Sequence, residues 1–164
     1  MKLVLIRHAQ AEERALLGRE YDRRLTPDGR RRMRVAAQGI RVLIPEITFL
    51  AASPLVRAQQ TADIVAEQYR GLDVTPVDAL APGQPPRAVL AWLKQQPMDA
   101  TVAAVGHEPD LGIFASHLLA RRTQSFLPFK KGAACLIEFV GEPATGQGLL
   151  VWMLTPSILR RIGR

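Results

Sequence analysis

The chain has 164 residues, a formal net charge of +7 and a single cysteine, Cys135. This length suits one domain with a substantial core and is short for two, so we expect a single domain over residues 1–164. One cysteine excludes an internal disulfide and a cysteine-based metal site. No apolar run reaches the roughly 18 residues of a membrane span, and no leader-like segment precedes the first strand, so we expect a soluble, cytoplasmic protein without a membrane partner.

The positive charge narrows the class of partner only in part. A basic protein can bind nucleic acid, a membrane surface, or acidic and phosphorylated partners. The arginine-rich segments 30–34 and 160–164 lie far apart in the sequence, and aromatic residues make up only 5% of the chain. Because aromatic side chains do not interleave with the basic segments, we expect solvated charged faces and no nucleic-acid partner.

The first elements of the chain are a buried strand, a polar loop and a long helix. Residues 3–6 form a continuous aliphatic run, which is typical of a strand covered on both faces. Residues 9–25 are polar and charged, and we expect a loop with one helical turn. Thr26-Pro27-Asp28 combines a hydroxyl cap, a proline at the first helical position and an acid in the first turn. These residues predict a helix that ends near Leu43.

The middle of the chain repeats the strand-then-helix pattern. Residues 47–52 predict a second strand, and Ser53-Pro54 again combines a hydroxyl cap with a proline. Apolar residues at helical spacing follow through residues 55–69. Residues 72–77 form a shorter strand that contains a proline, which places it near an edge of the sheet.

The second half of the chain predicts the remaining strands and helices. Residues 87–95 and 110–119 have helical spacing, and residues 101–105 form an apolar strand between them. Two further strands, 133–139 and 149–154, flank a turn-rich segment. Strands that alternate with helices indicate an α/β fold with three layers: a mainly parallel sheet and helices on both of its faces. The last pair of strands would add an antiparallel edge.

Three of the predicted strands run directly into basic or imidazole side chains. The first ends at Arg7-His8, the second opens into the segment that contains Arg57, and the fourth ends at Gly106-His107. Ligands of parallel α/β sheets bind outside the carboxyl ends of the strands, so these side chains should converge. Arginine matches phosphoryl oxygens in a bidentate way, and a histidine beside it can accept the phosphoryl group. The pattern therefore predicts a phosphate-handling site.

The motifs at these strand ends resemble one known family. Arg7-His8-Ala9, the segment Ser53–Thr61 and Gly106-His107-Glu108-Pro109 together resemble the histidine phosphatase superfamily, and within it the SixA-type phosphohistidine phosphatases. Leu25-Thr26-Pro27-Asp28-Gly29 resembles the loop before the first helix in that group. The resemblance covers nearly the whole chain and implies a phosphoglycerate mutase-like fold. The superfamily usually has glycine after Arg-His, and the alanine here is common in SixA-like members.

The resemblance also implies roles for individual residues. His8 would be the nucleophile that forms a phosphohistidine, and Arg7, Arg57 and His107 would bind the transferring phosphoryl group. No cofactor is expected. A metal site is not expected either, because the three histidines show no ligand spacing and two guanidiniums would oppose a divalent cation.

The proton donor for the leaving group has no clear candidate in the sequence. Many superfamily members carry a glutamate after the third strand, but residues 79–83 contain no carboxylate. Asp22 and Arg24 lie in the loop that should overhang the pocket, and they are candidate substrate-binding residues. Glu108 could protonate a leaving group or only complement the dipole of its helix.

The expected function is that of a phosphohistidine phosphatase. Its substrate would be a phosphorylated protein such as a histidine phosphotransfer domain, and the enzyme would act as a monomer. One alternative is a broad phosphomonoesterase of the same superfamily. Another, from a different class, is a non-catalytic module that binds phosphate or nucleic acid. An intact pair of histidines favours catalysis over recognition alone.

Overall fold

A computed structural model describes residues 1–13 and 18–164 of the chain. In this part of the chain, strands and helices alternate from β1 to α4, and a strand pair and a last helix follow. The strands are β1 Lys2–Arg7, β2 Phe49–Ala52, β3 Val74–Pro76, β4 Thr101–Gly106, β5 Ala134–Glu138 and β6 Leu149–Leu154. The helices are α1 Pro27–Leu43, α2 Val56–Ala66, α3 Pro86–Leu93, α4 Asp110–Ala120 and α5 Pro156–Ile162, and 3₁₀ turns cover Glu20–Asp22 and Asp78–Leu80.

The described strands form one mixed sheet in the order β3-β2-β4-β1-β5-β6. The first four strands in that order are parallel, whereas β5 and β6 run antiparallel to their neighbours. The prediction of a mainly parallel sheet with an antiparallel edge is confirmed. Because β1 and β4 are adjacent, with Arg7 opposite Gly106, the two strands that precede the histidines end side by side.

Alternate residues of the sheet pack into two separate cores. Val4 and Ile6 face the core shared with α1, α2 and α5. Leu3 and Leu5 face the opposite core, which α3 and α4 cover. Burial on both faces explains why β1 is a continuous aliphatic run and confirms the three-layer prediction.

The two predicted helix caps have different outcomes. Thr26 caps α1 as expected, because its hydroxyl accepts a hydrogen bond from Gly29 N at 2.9 Å. The prediction that Ser53 caps the second helix is wrong: Leu55 is the N-cap residue, and no side chain caps this helix. The Ser53 hydroxyl is instead hydrogen-bonded to His107. Arg57 lies in the first turn of α2.

The last helix, α5, was not among the predicted elements. Thr155-Pro156 starts it with the same pair of residue types that begins α1. Its Leu159 is fully buried, and a side chain at Gly39 of α1 would lie 2.1 Å from the Leu159 carbonyl oxygen. Glycine at position 39 therefore allows α5 to pack directly on α1. Within residues 1–13 and 18–164, no helix has the length and apolarity that crossing a bilayer requires.

Candidate active site

Four side chains from three strand ends meet at the carboxyl edge of the parallel strands. We call Arg7, His8, Arg57 and His107 the imidazole–arginine cluster. The ring centroids of the two histidines are 5.1 Å apart, and Arg57 Nε lies 3.3 Å from His8 Nε2. His8, Arg57 and His107 are all buried. The structure thus brings together the four residues for which the sequence predicted phosphoryl chemistry.

Hydrogen bonds fix the tautomer of His8. Its Nδ1 lies 2.7 Å from the Ala9 carbonyl oxygen, which can only accept, so Nδ1 carries the proton. Nε2 accepts from Arg57 Nε and therefore presents a lone pair. Burial, together with the charges of Arg57, Arg7 and Lys131, lowers the pKa of His8 to about 4 in spite of the favourable bond to Ala9. His8 is therefore neutral at physiological pH, and its unprotonated nitrogen is Nε2.

The backbone after His8 is held by two segments that the sequence singled out for other reasons. Ala9 N donates to Thr61 Oγ1 at 3.1 Å, and the Thr61 hydroxyl donates to the Arg57 carbonyl at 2.7 Å. Thr26 N donates to the Gln10 carbonyl at 3.0 Å, and a side chain at Gly29 would lie 2.2 Å from that oxygen. The threonine of the second motif and the glycine of the loop motif thus position the backbone that follows His8.

His107 is the second imidazole of the cluster. Its Nε2 lies 2.7 Å from Ser53 Oγ, so the second and fourth strand ends are joined by one hydrogen bond. Burial, together with the neighbouring His8, Arg57 and Arg7, lowers the pKa of His107 to about 3. In the described part of the chain, no group hydrogen-bonds its buried Nδ1. A bound phosphoryl oxygen would supply that missing partner.

Arg7 is anchored at one end and open at the other. Its Nη1 donates to the Phe129 carbonyl, whereas its buried Nε has no partner among the described residues. Burial lowers the pKa of this guanidinium, and the nearby Glu108 opposes that effect. Two unpartnered buried nitrogens, on Arg7 and His107, therefore belong to one cluster. Buried polar groups without partners are rare in folded proteins and need an explanation, which an anionic ligand provides.

Arg57 makes contacts that the sequence did not predict. Its Nη1 donates to the Glu20 carbonyl at 3.0 Å, and its Nη2 lies 3.2 Å from Glu20 Oε1. Asp22 ends the same 3₁₀ turn, and Arg24 is exposed two residues later. The loop thus brings Glu20 to the cluster, and the substrate-binding roles of Asp22 and Arg24 stay predictions. No periodicity of the loop sequence identifies Glu20 as the residue that turns inward.

Glu108 is the acidic residue whose charge acts on Arg7. Burial raises the pKa of its carboxyl group, whereas the backbone at Phe129, the charge of Arg7 and the backbone at Gly112 lower it. Its Oε2 is buried and has no hydrogen-bond partner among the described residues. The sequence left this residue undecided between a proton donor and a dipole partner. The effect of its charge on Arg7 adds a third interpretation, in which it stabilises the charged guanidinium.

The cluster suits a phosphoryl group and not a metal ion. Two guanidiniums and two neutral imidazoles give it two formal positive charges, which a phosphate dianion would balance. Preorganised donors of this kind stabilise the charge that develops on the equatorial oxygens in phosphoryl transfer. Across residues 1–13 and 18–164, no group of three or more His, Cys, Asp or Glu side chains is arranged to hold a metal ion.

Comparisons with known proteins agree with this geometry. The family model for the histidine phosphatase superfamily (branch 1) matches residues 3–81. An uncharacterized protein of Picosynechococcus sp. is 37% identical over 133 residues, which are 80% of this chain and 81% of that protein. A tungstate complex of the protein histidine phosphatase SixA superposes with a TM-score of 0.84 at 24% identity, over 97% of this chain and 99% of the other.

A structure from Nakamurella multipartitia that carries the name phosphohistidine phosphatase SixA superposes with a TM-score of 0.79. It is 29% identical, and the match covers 94% of this chain and 95% of that one. Both matches thus cover at least 94% of this chain. The chain therefore belongs to the histidine phosphatase superfamily, in its SixA-type group, and is a phosphatase.

Proposed function

We propose that the protein is a phosphohistidine phosphatase that acts on a phosphorylated protein through a covalent phosphohistidine on His8. The observation that carries the proposal is the state of His8. Its Nδ1–H donates a hydrogen bond to the Ala9 carbonyl oxygen, and its Nε2 lone pair lies beside Arg57. A neutral imidazole whose unprotonated nitrogen lies among anion-binding groups is the arrangement that nucleophilic attack on phosphorus needs.

The first step transfers the phosphoryl group to the enzyme. His8 Nε2 donates its electron pair to phosphorus, and the bond between phosphorus and the leaving nitrogen breaks. The leaving imidazole keeps the electron pair of the broken phosphorus–nitrogen bond, and a proton on its other ring nitrogen lets it depart as a neutral group. Arg7, Arg57 and His107 would donate hydrogen bonds to the three equatorial oxygens, where charge develops.

The second step returns His8 to its starting state. A water molecule attacks the phosphorus of phosphorylated His8, the electron pair of the phosphorus–nitrogen bond returns to Nε2, and inorganic phosphate leaves with the proton lost by the water. The bond from Nδ1 to the Ala9 carbonyl, 2.7 Å long, keeps the ring in one orientation through both steps. The leaving group and the attacking water thus use the same position in line with Nε2.

The absence of a carboxylate from residues 79–83 supports phosphohistidine over a phosphate ester. An alkyl phosphate leaves as an alkoxide, which needs a well-placed proton donor. Phosphohistidine leaves as a neutral imidazole and needs little help from the enzyme. The names of the SixA structures, one called a protein histidine phosphatase, point to the same substrate class.

A comparison of three leaving groups tests this proposal. We expect kcat/KM to be highest for a phosphohistidine protein, intermediate for p-nitrophenyl phosphate with its stabilised phenolate, and lowest for a phosphoserine peptide. A folded His8→Ala protein is the blank for each substrate. A phosphoserine peptide cleaved as efficiently as phosphohistidine would instead indicate a broad phosphomonoesterase with a proton donor. Phosphate binding without any turnover would indicate a recognition module.

A further inference from the structure

A second cationic site adjoins the imidazole–arginine cluster on the side of the sheet that α1 and α5 cover. It is a pocket of about 170 Å³ that begins at Ala9 and Gln10, directly after the nucleophile. Arg32, Lys130, Lys131 and Arg160 line it, and we call this the basic pocket. None of these four side chains belongs to the cluster that would hold the transferring phosphoryl group.

The charges of the basic pocket are nearly uncompensated. Its cations come from α1, from the segment before β5 and from α5, and no acidic residue of the described chain lines it. Arg32 Nε is paired with Asp28 at 2.7 Å. For Lys130, Lys131 and Arg160, no carboxylate in the described ranges lies within ion-pair distance. Such a pocket favours a ligand that brings negative charge.

The base of the pocket is apolar. Met33 and Ala36 of α1 line it and are almost fully buried, and Pro156 lies at its side. Two hydroxyls, Thr155 Oγ1 and Ser157 Oγ, lie 2.9 Å apart at its edge. A ligand with a short aliphatic stem and a terminal carboxylate would satisfy both parts of the pocket. Aspartate and glutamate side chains have this form.

The pocket wall is joined to the nucleophile through the backbone. Gly132 N lies 3.2 Å from the carbonyl oxygens of both Arg7 and His8, and Gly132 lines the pocket. The neighbouring Lys131 is close enough for its charge to act on the His8 imidazole. A substrate whose phosphorylated residue reaches His8 would therefore place its flanking residues over the basic pocket.

We propose that the basic pocket receives acidic side chains of the protein substrate, at positions that flank its phosphohistidine. This inference rests on the proposed function and names the substrate's second point of attachment. A protein segment fits better than a nucleic acid because no aromatic residue of the described chain lines the pocket to stack on a base. The cations of the pocket would recognise the carboxylates of an acidic substrate segment, and its apolar base would contact their aliphatic stems.

The test compares one double variant with one control variant on three substrates. Lys130→Gln/Arg160→Gln removes two pocket charges, and Arg161→Gln removes the next charge on α5, which does not line the pocket. The substrates are a phosphohistidine peptide with glutamate flanks, the same peptide with glutamine flanks, and p-nitrophenyl phosphate. We expect the double variant to lose about fivefold in kcat/KM on the acidic peptide, as two exposed ion pairs would give. The other two substrates should change by less than about twofold, as should the control variant.

The salt dependence gives a second expected result. Raising the ionic strength should reduce the wild-type preference for the acidic peptide and leave the double variant nearly unaffected, since exposed pairs are screened by salt. Equal losses on all three substrates, or no loss on the acidic peptide, would overturn the proposal.

A binding measurement separates this proposal from the proposed function. The unphosphorylated acidic peptide should inhibit p-nitrophenyl phosphate hydrolysis, and the double variant should weaken that inhibition about fivefold. If this holds while no phosphohistidine substrate is cleaved, the pocket is supported and the function is wrong. If an oligonucleotide or a small dianion inhibits more strongly than the peptide, and the double variant loses that inhibition, the pocket does not serve a protein substrate.

Discussion

The imidazole–arginine cluster and the basic pocket are both cationic and lie on either side of Ala9, yet they differ in burial. His8 and Arg57 are each 5% exposed and His107 is 4% exposed, whereas Arg32, Lys130 and Lys131 are exposed. Buried charges and dipoles are little screened, and they are held in place by their neighbours. Exposed cations are mobile, and each pair they form is worth only about 0.2–1 kcal/mol.

Because both sites are cationic, the sign of the charge alone does not indicate the role of a residue in this molecule. In the cluster, each donor is fixed by a backbone or side-chain partner before substrate arrives, so removing one should affect the transition state strongly. In the basic pocket, removal of one cation should change affinity slightly and only for acidic substrates. Substitutions in the cluster should therefore have larger effects than substitutions in the basic pocket.

Removal of the nucleophile should have the largest effect. His8→Ala should lower kcat by at least about 10⁴-fold, because in the proposed mechanism His8 Nε2 supplies the electron pair that attacks phosphorus. The matched control is His117→Ala, which removes a histidine that is hydrogen-bonded to Thr145 outside the cluster. Steady-state kinetics and circular dichroism of both variants check the prediction. Substantial turnover by a folded His8→Ala protein would contradict the mechanism.

Truncation of the buried arginine should have the next largest effect. Arg57→Ala should cost about 2–4 kcal/mol in kcat/KM, since it removes a preorganised donor to the equatorial oxygens. Arg57→Lys should recover only part of that loss because an ammonium lacks the guanidinium fork. Arg34→Ala, which removes an exposed arginine of α1, serves as the control. If Arg57→Ala lowers kcat/KM no more than Arg34→Ala does, Arg57 does not bind the phosphoryl group.

The pH profile tests whether the cluster is buried in solution. Burial lowers the pKa of His8 to about 4, so the imidazole is neutral above that pH and protonated below it. For p-nitrophenyl phosphate, kcat/KM corrected for substrate ionisation should be constant between about pH 7 and 5 and should fall about tenfold per pH unit below 4. An acidic limb near pH 6.5, the ordinary histidine value, would instead indicate a solvated nucleophile.

Glu108 tests how the cluster is supported. If the carboxylate acts on Arg7 through its charge, Glu108→Gln should lower kcat/KM by about fivefold for every substrate, as the loss of one charge interaction without a hydrogen bond would give. If it is a proton donor, the loss should grow as the leaving group becomes poorer, and it should be largest for phosphoserine. The same panel of leaving groups distinguishes the two, and we expect the uniform loss.

The contact between Glu20 and Arg57 should have the smallest effect. Glu20 contacts the Arg57 guanidinium through its backbone carbonyl and through its exposed carboxylate. A phosphoryl group would compete for the same guanidinium. Glu20→Gln should lower KM about two- to threefold and leave kcat unchanged, since the carboxylate contact is screened by solvent. An increase in KM would show that Glu20 assists binding. Glu13→Gln, earlier in the same loop, is a control for its net charge.

The sequence predicts the convergence of the cluster because that convergence follows from topology. Parallel strands end at one edge of a sheet, so Arg7-His8 at the end of β1 and His107 after β4 had to meet once the strands were adjacent. Continuous apolar runs identified those strands, and the cap at Thr26 located α1. These features depend on local sequence and on general rules of α/β folds.

The features that the sequence missed depend on side chains that are distant in the chain. Ser53 bonds His107 across 54 positions instead of capping α2, and Glu20 reaches Arg57 across 37 positions. No local pattern encodes such pairs. Thr155-Pro156 is a sequence signal for the start of α5. Only the packing of that helix on Gly39 of α1 shows that it completes the basic pocket. That pocket is therefore a property of tertiary structure alone.

Trapping the phosphoenzyme tests the central claim most directly. After rapid mixing of the wild-type protein with a phosphohistidine substrate and denaturing quench, we expect one phosphoryl group on His8 that is labile to acid and stable to alkali. Phosphorus NMR of the trapped protein should place it on Nε2, the nitrogen that does not bond Ala9. A phosphoryl group on Nδ1, on another residue, or on a folded His8→Ala protein would contradict the account.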